Sequence, residues 1–203
     1  ERKKVLKFKD RKHFISIGNF LHAPNYDAVQ FLKNSIWPLI RKQLPKVEIH
    51  LYGAYASDKI YQLTDETNGF MVKGFTDDVN TVMQKAKVCL APLRFGAGLK
   101  GKLIDAMLNG TPCVMTTIAA EGMFGNFDSN GFVADDAKEF ANKAVELYSN
   151  KIFWNGKQKN GFTALHARFD KHLFVSDFKY QVNAILNGLE FHRKDNFTGQ
   201  MLQ

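Results

Sequence analysis

Short apolar runs alternating with longer stretches of helical spacing constrain this chain more than any other feature. The runs are 13–17 (HFISI), 47–52 (VEIHLY), 70–72, 88–93 (VCLAPL), 112–116 (PCVMT) and 131–134, and the first two end at Gly18 and Gly53. Each is the length of a strand. Between them, 27–42 places Ala28, Val29, Leu32, Ile36, Leu39 and Ile40 on one helical face, with Pro38 expected to kink or restart the helix. Further helices are expected over 58–66, 77–85 with Asp77 as N-cap, 100–108 stopped by Asn109-Gly110, 137–148, and onward to about Leu189. Strands separated by helices predict right-handed βαβ units and a parallel sheet covered on both faces. The expected fold class is therefore α/β, a doubly wound Rossmann-like domain.

With 203 residues, 45% hydrophobic and 24% charged, the chain suits one soluble globular domain without disulfides. No apolar run approaches the roughly 20 residues of a membrane span, and no apolar stretch after ERKKVLKFKDRKH suits a signal peptide. Cys89 and Cys113 lie inside apolar runs and read as buried, reduced thiols of a cytoplasmic protein. Neither they nor the histidines have metal-ligand spacing, so no metal is expected. Most of the net charge of +8 falls in the first 13 residues, where Arg2, Lys3, Lys4, Lys7, Lys9, Arg11 and Lys12 face only Glu1 and Asp10. The chain accordingly divides into a basic linker arm at 1–12, a domain at 13–189 and a polar tail at 190–203. No nucleic-acid motif accompanies the arm, and no nucleic-acid partner is expected.

Ligands of such sheets bind beyond the carboxyl ends of the strands, so the loops there are the places to search. The most informative is 94–102, RFGAGLKGK, which follows a buried strand and opens a helix. A helix start carries unpaired N–H groups and a positive partial charge. Lys100 and Lys102 in its first turn, with Arg94 upstream and no acid before Asp105, oppose that field unless an anion is bound. A phosphate or diphosphate is the economical ligand. The string from Gly96 to Gly101 also fits the dinucleotide pattern G-x-G-x-x-G, with Glu121 about 20 residues on. It follows the fourth strand instead of the first, however, and Glu121 lies beyond the next strand, so NAD stays an alternative only.

Two more loops qualify. After the first strand, Gly18 permits a tight turn, Asn19 and His22 could face the strand ends, and Asn25 or Asp27 could cap the next helix. After the third, backbone groups around Lys73 and Gly74 could meet a nucleobase edge with Phe75 beside its face. Alternatively Phe75 packs in the core and the aspartates that follow cap the helix.

GNFLHAPNYDAV, KGFTDDV, APLRFGAGLKGKLIDAMLNGTPCVMTT and AAEG occur in that order. Over about 13–189 the chain resembles the C-terminal, donor-binding domain of GT-B glycosyltransferases of the large retaining group 1 class. The resemblance implies half of a two-domain enzyme that transfers sugar from a UDP- or GDP-sugar to an acceptor hydroxyl with retention, using no cofactor beyond the donor itself. The acceptor, a glycan or lipid-linked glycan, would be met through an N-terminal domain, and the full-length protein could sit peripherally on a membrane. Carried over by position, the diphosphate falls to Gly18, Asn19, Arg94, Gly98, Leu99, Lys100 and Lys102, the ribose to Asp105, the base to Lys73, Gly74 and Phe75, and the sugar or acceptor side to His22 and Glu121. The family often has two glutamates with seven residues between them here. Asp105 matches the second, whereas the first falls on Ala97, and Asn19 stands where an Arg is usual. Those departures keep two other readings open: an epimerase half of the related two-domain fold, and a degenerate assembly domain.

Overall fold

The computed structural model describes residues 5–201; Arg2, Lys3 and Lys4 of the basic arm and the last two residues of the tail lie outside them. The described residues form two compact units, one up to Leu165 and one from His166. In chain order the elements of the first are β1 (Lys12–Ile17), α1 (Ala23–Phe31), α2 (Trp37–Gln43), β2 (Ile49–Tyr52), α3 (Asp58–Tyr61), β3 (Phe70–Gly74), α4 (Val79–Lys85), β4 (Ala86–Ala91), α5 (Gly101–Leu108), β5 (Cys113–Met115), α6 (Thr117–Ala120), β6 (Gly131–Val133), α7 (Ala137–Ser149) and α8 (Lys151–Phe169), whose last turn passes the boundary. The second unit holds α9 (Val175–Asn187), α10 (Leu189–Asp195) and α11 (Phe197–Met201).

The strands build one six-stranded sheet in the order β3-β2-β1-β4-β5-β6, and every neighbouring pair is parallel. Phe14 of β1 stands opposite Ile49 of β2 on one side and Val88 of β4 on the other. The chain winds outward from β1 to β3, then crosses back to β4 and winds the other way. The crevice between the carboxyl ends of β1 and β4 is thus the topological switch point, where open α/β sheets hold their ligands. The expected doubly wound class is what the chain adopts.

One buried cluster anchors this sheet. Phe14, Ile49, Leu51, Val88, Leu90 and Val114 from the strands pack with Leu32, Ile36, Trp37, Phe140, Leu147 and Trp154 from the helices. Both indoles keep their polar handle satisfied, Trp37 Nε1 donating to the Asn68 carbonyl at 2.8 Å and Trp154 Nε1 to the Lys87 carbonyl at 2.7 Å. The helix expected over 27–42 is interrupted as Pro38 requires. A proline lacks an N–H, and its ring displaces the carbonyl four residues back. The helix widens to a π turn over Leu32–Ile36 and restarts with Pro38 in the first turn of α2.

Several local expectations need correcting. The helix expected over 58–66 stops at Tyr61, because the Asp65 carboxylate accepts from the Asn68 backbone and side chain and from Lys33, closing a turn instead. The cap of α4 is Asp78, which accepts from Thr81 N at 3.0 Å, and not Asp77. The short α6, capped by Thr116, had no expected counterpart. In the polar tail expected from residue 190, 190–195 and 197–201 are helical, and the described residues divide into compact units at His166.

The largest correction concerns the arm. Arg11 is almost wholly buried. Its guanidinium donates to the carbonyls of Leu6 (2.9 Å), Ala86 (3.1 Å) and Asn109 (2.7 Å) and to Thr111 Oγ1 (2.7 Å), and it lies over the Trp154 ring. Phe8 meets the same indole edge-on. Residues 8–12 of the expected linker arm therefore pack at the amino-terminal end of the central strands.

Candidate functional site

At the end of β1, Gly18 N donates to Tyr52 O, and the chain turns so that Phe20 N reaches Ala54 O. A Cβ at Gly18 would lie 2.7 Å from Asn25 Cγ, so only glycine admits the Asn25 carboxamide. Asn19 lies at the same turn with its Oδ1 accepting from Leu21 N at 2.9 Å. His22 occupies the position before α1 without capping it through its side chain. Neither Asn25 nor Asp27 caps this helix. Instead Asn25 Nδ2 donates to Asn19 O at 2.9 Å and its Oδ1 accepts from Lys102 Nζ at 2.7 Å.

The loop after β4 approaches from the other side of the crevice. Gly96 and Gly98 take φ of +130° and +72°, a region that costs any other residue strain. Since a Cβ at Gly98 would touch nothing within 4 Å, glycine is there for backbone shape, not for space. Lys100 takes the N-cap position of α5, where no side chain caps and no acid occupies the first turn. It is only 6% exposed, and its Nζ donates back to Gly98 O at 2.5 Å. Burial, opposed by Cys89 and joined by a smaller repulsion from Lys100, brings the Lys102 pKa down to about 8. Lys100, Lys102 and an uncapped helix start thus lie together at the start of α5, an arrangement whose electrostatics favour an anion.

Two clefts meet at that point. One, of about 290 Å³, is lined by Ile17, Gly18, Asn19, Gly53, Ala54, Phe75, Thr76, Val79, Gly101, Lys102 and Asp105. The other, of about 400 Å³, is lined by His22, Pro24, Asn25, Leu93, Phe95, Gly96, Ala97, Leu99, Lys100, Gly101 and Lys102. Gly101 and Lys102 belong to both. Phe75 is 67% exposed at the first cleft, so it is not a core residue. Burial raises the pKa of the Asp105 carboxyl beside it. Gly53 is glycine because a Cβ there would fall 2.0 Å from Gly18 O.

Of the residues expected from sequence, Gly18, Asn19, Phe75, Lys102 and Asp105 come together at the first cleft, and His22, Leu99, Lys100 and Lys102 at the second. Gly98 shapes the loop between them. Arg94 departs from expectation. Its Nε donates to Asp27 Oδ2 at 2.9 Å, a second nitrogen meets Oδ1, and the guanidinium lies over Phe31, so it faces α1 and lines neither cleft. An anion from the same chain already compensates this cation. Lys73 is an exposed residue of β3, and Gly74 is packed beneath Tyr61; neither lines the clefts, although Gly74 O receives Gly53 N. Glu121 ends α6, exposed and outside both clefts. Gly53 and Val79 also line the first cleft and were not expected there, while Asn25 and Thr76, from the two candidate loops, line the second and the first.

The glycine string follows β4, and the turn after β1 carries Gly18 alone. With Glu121 outside the clefts, the dinucleotide pattern is matched in letters but not in architecture. Among the described residues, no group of three His, Cys, Asp or Glu is placed to hold a metal ion, and no helix is long and apolar enough to cross a membrane.

Comparison with known proteins agrees with this geometry. The family model described as "Glycosyl transferases group 1" matches residues 11–150. An uncharacterized 44.6 kDa protein from the cps region of Klebsiella pneumoniae is 23% identical over 171 residues, 80% of this chain and 44% of that protein. Among solved structures, a variant of S. aureus TarM in complex with fondaparinux, alpha-GlcNAc-glycerol and UDP superposes with a TM-score of 0.71 at 16% identity, covering 89% of this chain and 36% of its own. Anabaena HepE, in complex with UDP and glucose, gives 0.68 at 14% identity, with 87% and 49% covered. The chain spans less than half the length of each of these relatives.

Proposed function

This chain belongs to the group 1 glycosyltransferases, and from that premise we propose that it is the donor-binding half of such an enzyme, holding a nucleotide-sugar at the crevice between β1 and β4. The observation that carries the reading is the meeting of two clefts at the partly buried Lys102 ammonium. A nucleotide-sugar has that shape, with a base and ribose on one side of a diphosphate and a hexose on the other. The base and ribose would occupy the 290 Å³ cleft, against Phe75 and near the Asp105 carboxylate. The diphosphate would lie across Gly101 and Lys102 at the start of α5, with Lys100 behind it. The sugar would extend into the 400 Å³ cleft, beside His22 and Ala97. HepE and TarM were both captured with UDP, which supports a uridine donor ahead of a guanosine one.

The chemistry these residues supply is stabilisation of the leaving diphosphate. As the bond from the sugar to the diphosphate breaks, negative charge grows on the phosphate oxygens. Ammonium groups and helix N–H groups already aimed there need no reorganisation at that moment. The acceptor, a glycan or lipid-linked glycan, would be supplied by a preceding domain, and transfer would retain the anomeric configuration without a metal or other cofactor. Ala97 lines the sugar cleft where the family often has an acid, so no carboxylate from that position assists this step.

The test is calorimetric titration with UDP, GDP and NAD in parallel. Saturable binding of UDP or GDP that weakens at high salt is the expected result; binding of NAD alone, or of none, would overturn the reading.

A further inference from the structure

Gly18 was expected to touch the ligand, yet the space its missing Cβ leaves belongs to a side chain of the same protein. All three terminal atoms of the Asn25 carboxamide lie between 2.7 and 2.9 Å from that missing Cβ. From there the amide donates to Asn19 O at 2.9 Å, fixing the turn after β1, and accepts from Lys102 Nζ at 2.7 Å. One side chain thus links the two loops that form the crevice, 77 positions apart along the chain. Few residue types could do this. Alanine offers neither bond, and aspartate offers the acceptor but cannot donate to a carbonyl.

Resting on the donor-site reading, we propose that Asn25 is a positioning residue for the nucleotide diphosphate: its carboxamide holds the Lys102 ammonium at the junction of the two clefts while leaving the charge of that ammonium uncancelled. The neutrality of the amide is the central point. A carboxylate at this position would hold Lys102 as firmly, yet the pair would carry no net charge and would attract a phosphate weakly. The other ionisable groups around the amine leave that logic intact. Lys100 at the start of α5 is a like charge, and Cys89 on β4 is a buried thiol. Tyr52 from β2 shares a small cavity with Lys102 and Asn25. Asp105, one turn further along α5, lines the first cleft without a hydrogen bond to the amine. Among the described residues, the hydrogen-bond partner of Lys102 Nζ is the Asn25 amide.

Two readouts test this on the 203-residue chain. The first is the Lys102 side-chain titration followed by lysine NMR, its signal assigned by its loss in Lys102→Met. The second is UDP and GDP affinity between pH 6 and pH 9. In Asn25→Asp the carboxylate favours the charged amine, so the Lys102 titration moves upward by a unit or more, while nucleotide affinity at pH 7 falls by about tenfold or more. In Asn25→Ala the ammonium loses its acceptor, so its titration moves downward and affinity falls more at pH 8 than at pH 6. Should the aspartate variant fail to fold, the alanine variant carries the same two readouts. A purely structural Asn25 would leave the Lys102 titration and the pH dependence of nucleotide affinity unchanged in Asn25→Ala, and that result overturns the proposal. So does full nucleotide affinity in Asn25→Asp. Failure of the donor reading is visible separately, as absence of UDP and GDP binding by the unaltered chain, and it would remove the positioning role with it.

Discussion

Two desolvated cations without a carboxylate partner, Arg11 and Lys102, sit at opposite ends of the central strands, and they differ in how fully they are satisfied. At the amino-terminal end, Arg11 spreads its donors over four carbonyls and a threonine hydroxyl and lies over Trp154. Burial lowers its pKa only to about 10, so it stays charged at neutral pH. At the carboxyl end, Lys102 has one neutral acceptor, faces Lys100, and titrates near 8. A buried charge with all its donors engaged is part of the fold. One with donors left over, opening onto a cleft, is poised for a ligand. The same desolvation acts on both, and the number of acceptors separates structure from function.

The comparison breaks most visibly at Arg11. Arg11→Ala leaves Ala86 O, Asn109 O and the Thr111 hydroxyl without their donor, and a loss of about 3 kcal/mol in stability is expected from such a buried network, read as a large fall in melting temperature. Lys102→Met should do the reverse. Removing an under-satisfied buried charge in favour of an apolar side chain is neutral or stabilising, so the melting temperature holds or rises while nucleotide affinity falls by about tenfold or more. The pH dependence of that affinity has a definite sign. Lys102 is charged below its folded pKa of about 8, so UDP or GDP binding should weaken as pH rises through 8. The same depressed pKa makes the fold gain stability from Lys102 between pH 8 and its ordinary range, because the unfolded chain then binds the extra proton.

Smaller effects sharpen the boundary between the regions. Gly98→Ala forces a Cβ into φ +72° at a cost of about 1 kcal/mol, with weaker nucleotide binding as the loop shifts. Phe75→Ala removes an exposed ring, so binding should fall severalfold with melting unchanged. Arg94→Ala should be the mildest for binding, because Arg94 faces Asp27 and α1 instead of the clefts. An effect of Arg94→Ala as large as that of Lys102→Met would return Arg94 to the anion site.

What the sequence disclosed follows the range of the forces involved. Alternating apolar runs specify strands and helices locally, and the doubly wound sheet follows from right-handed connections. Lys100 and Lys102 were legible because cations at a helix start oppose its dipole, a conflict visible within three residues. Arg11 was hidden by its lysine neighbours, since its acceptors near Ala86, Asn109 and Thr111 lie far along the chain. Asn25 was hidden for the same reason: as a candidate cap it had a sufficient local explanation, and its real partner is Lys102. Arg94 shows the converse: a cation that the sequence offered to the ligand pairs instead with Asp27 on α1. Phe75 could be placed either way by its sequence context, and only the exposure of its ring at the cleft decided.

The most direct measurement pairs calorimetric UDP and GDP titration with thermal melting, on the unaltered chain, Lys102→Met and Arg11→Ala. If Lys102 is held for a ligand and Arg11 for the fold, Lys102→Met loses nucleotide affinity at unchanged or higher melting temperature, and Arg11→Ala loses melting temperature first. Equal nucleotide affinity in Lys102→Met and the unaltered chain, or a collapse of its melting temperature to match Arg11→Ala, would contradict that division.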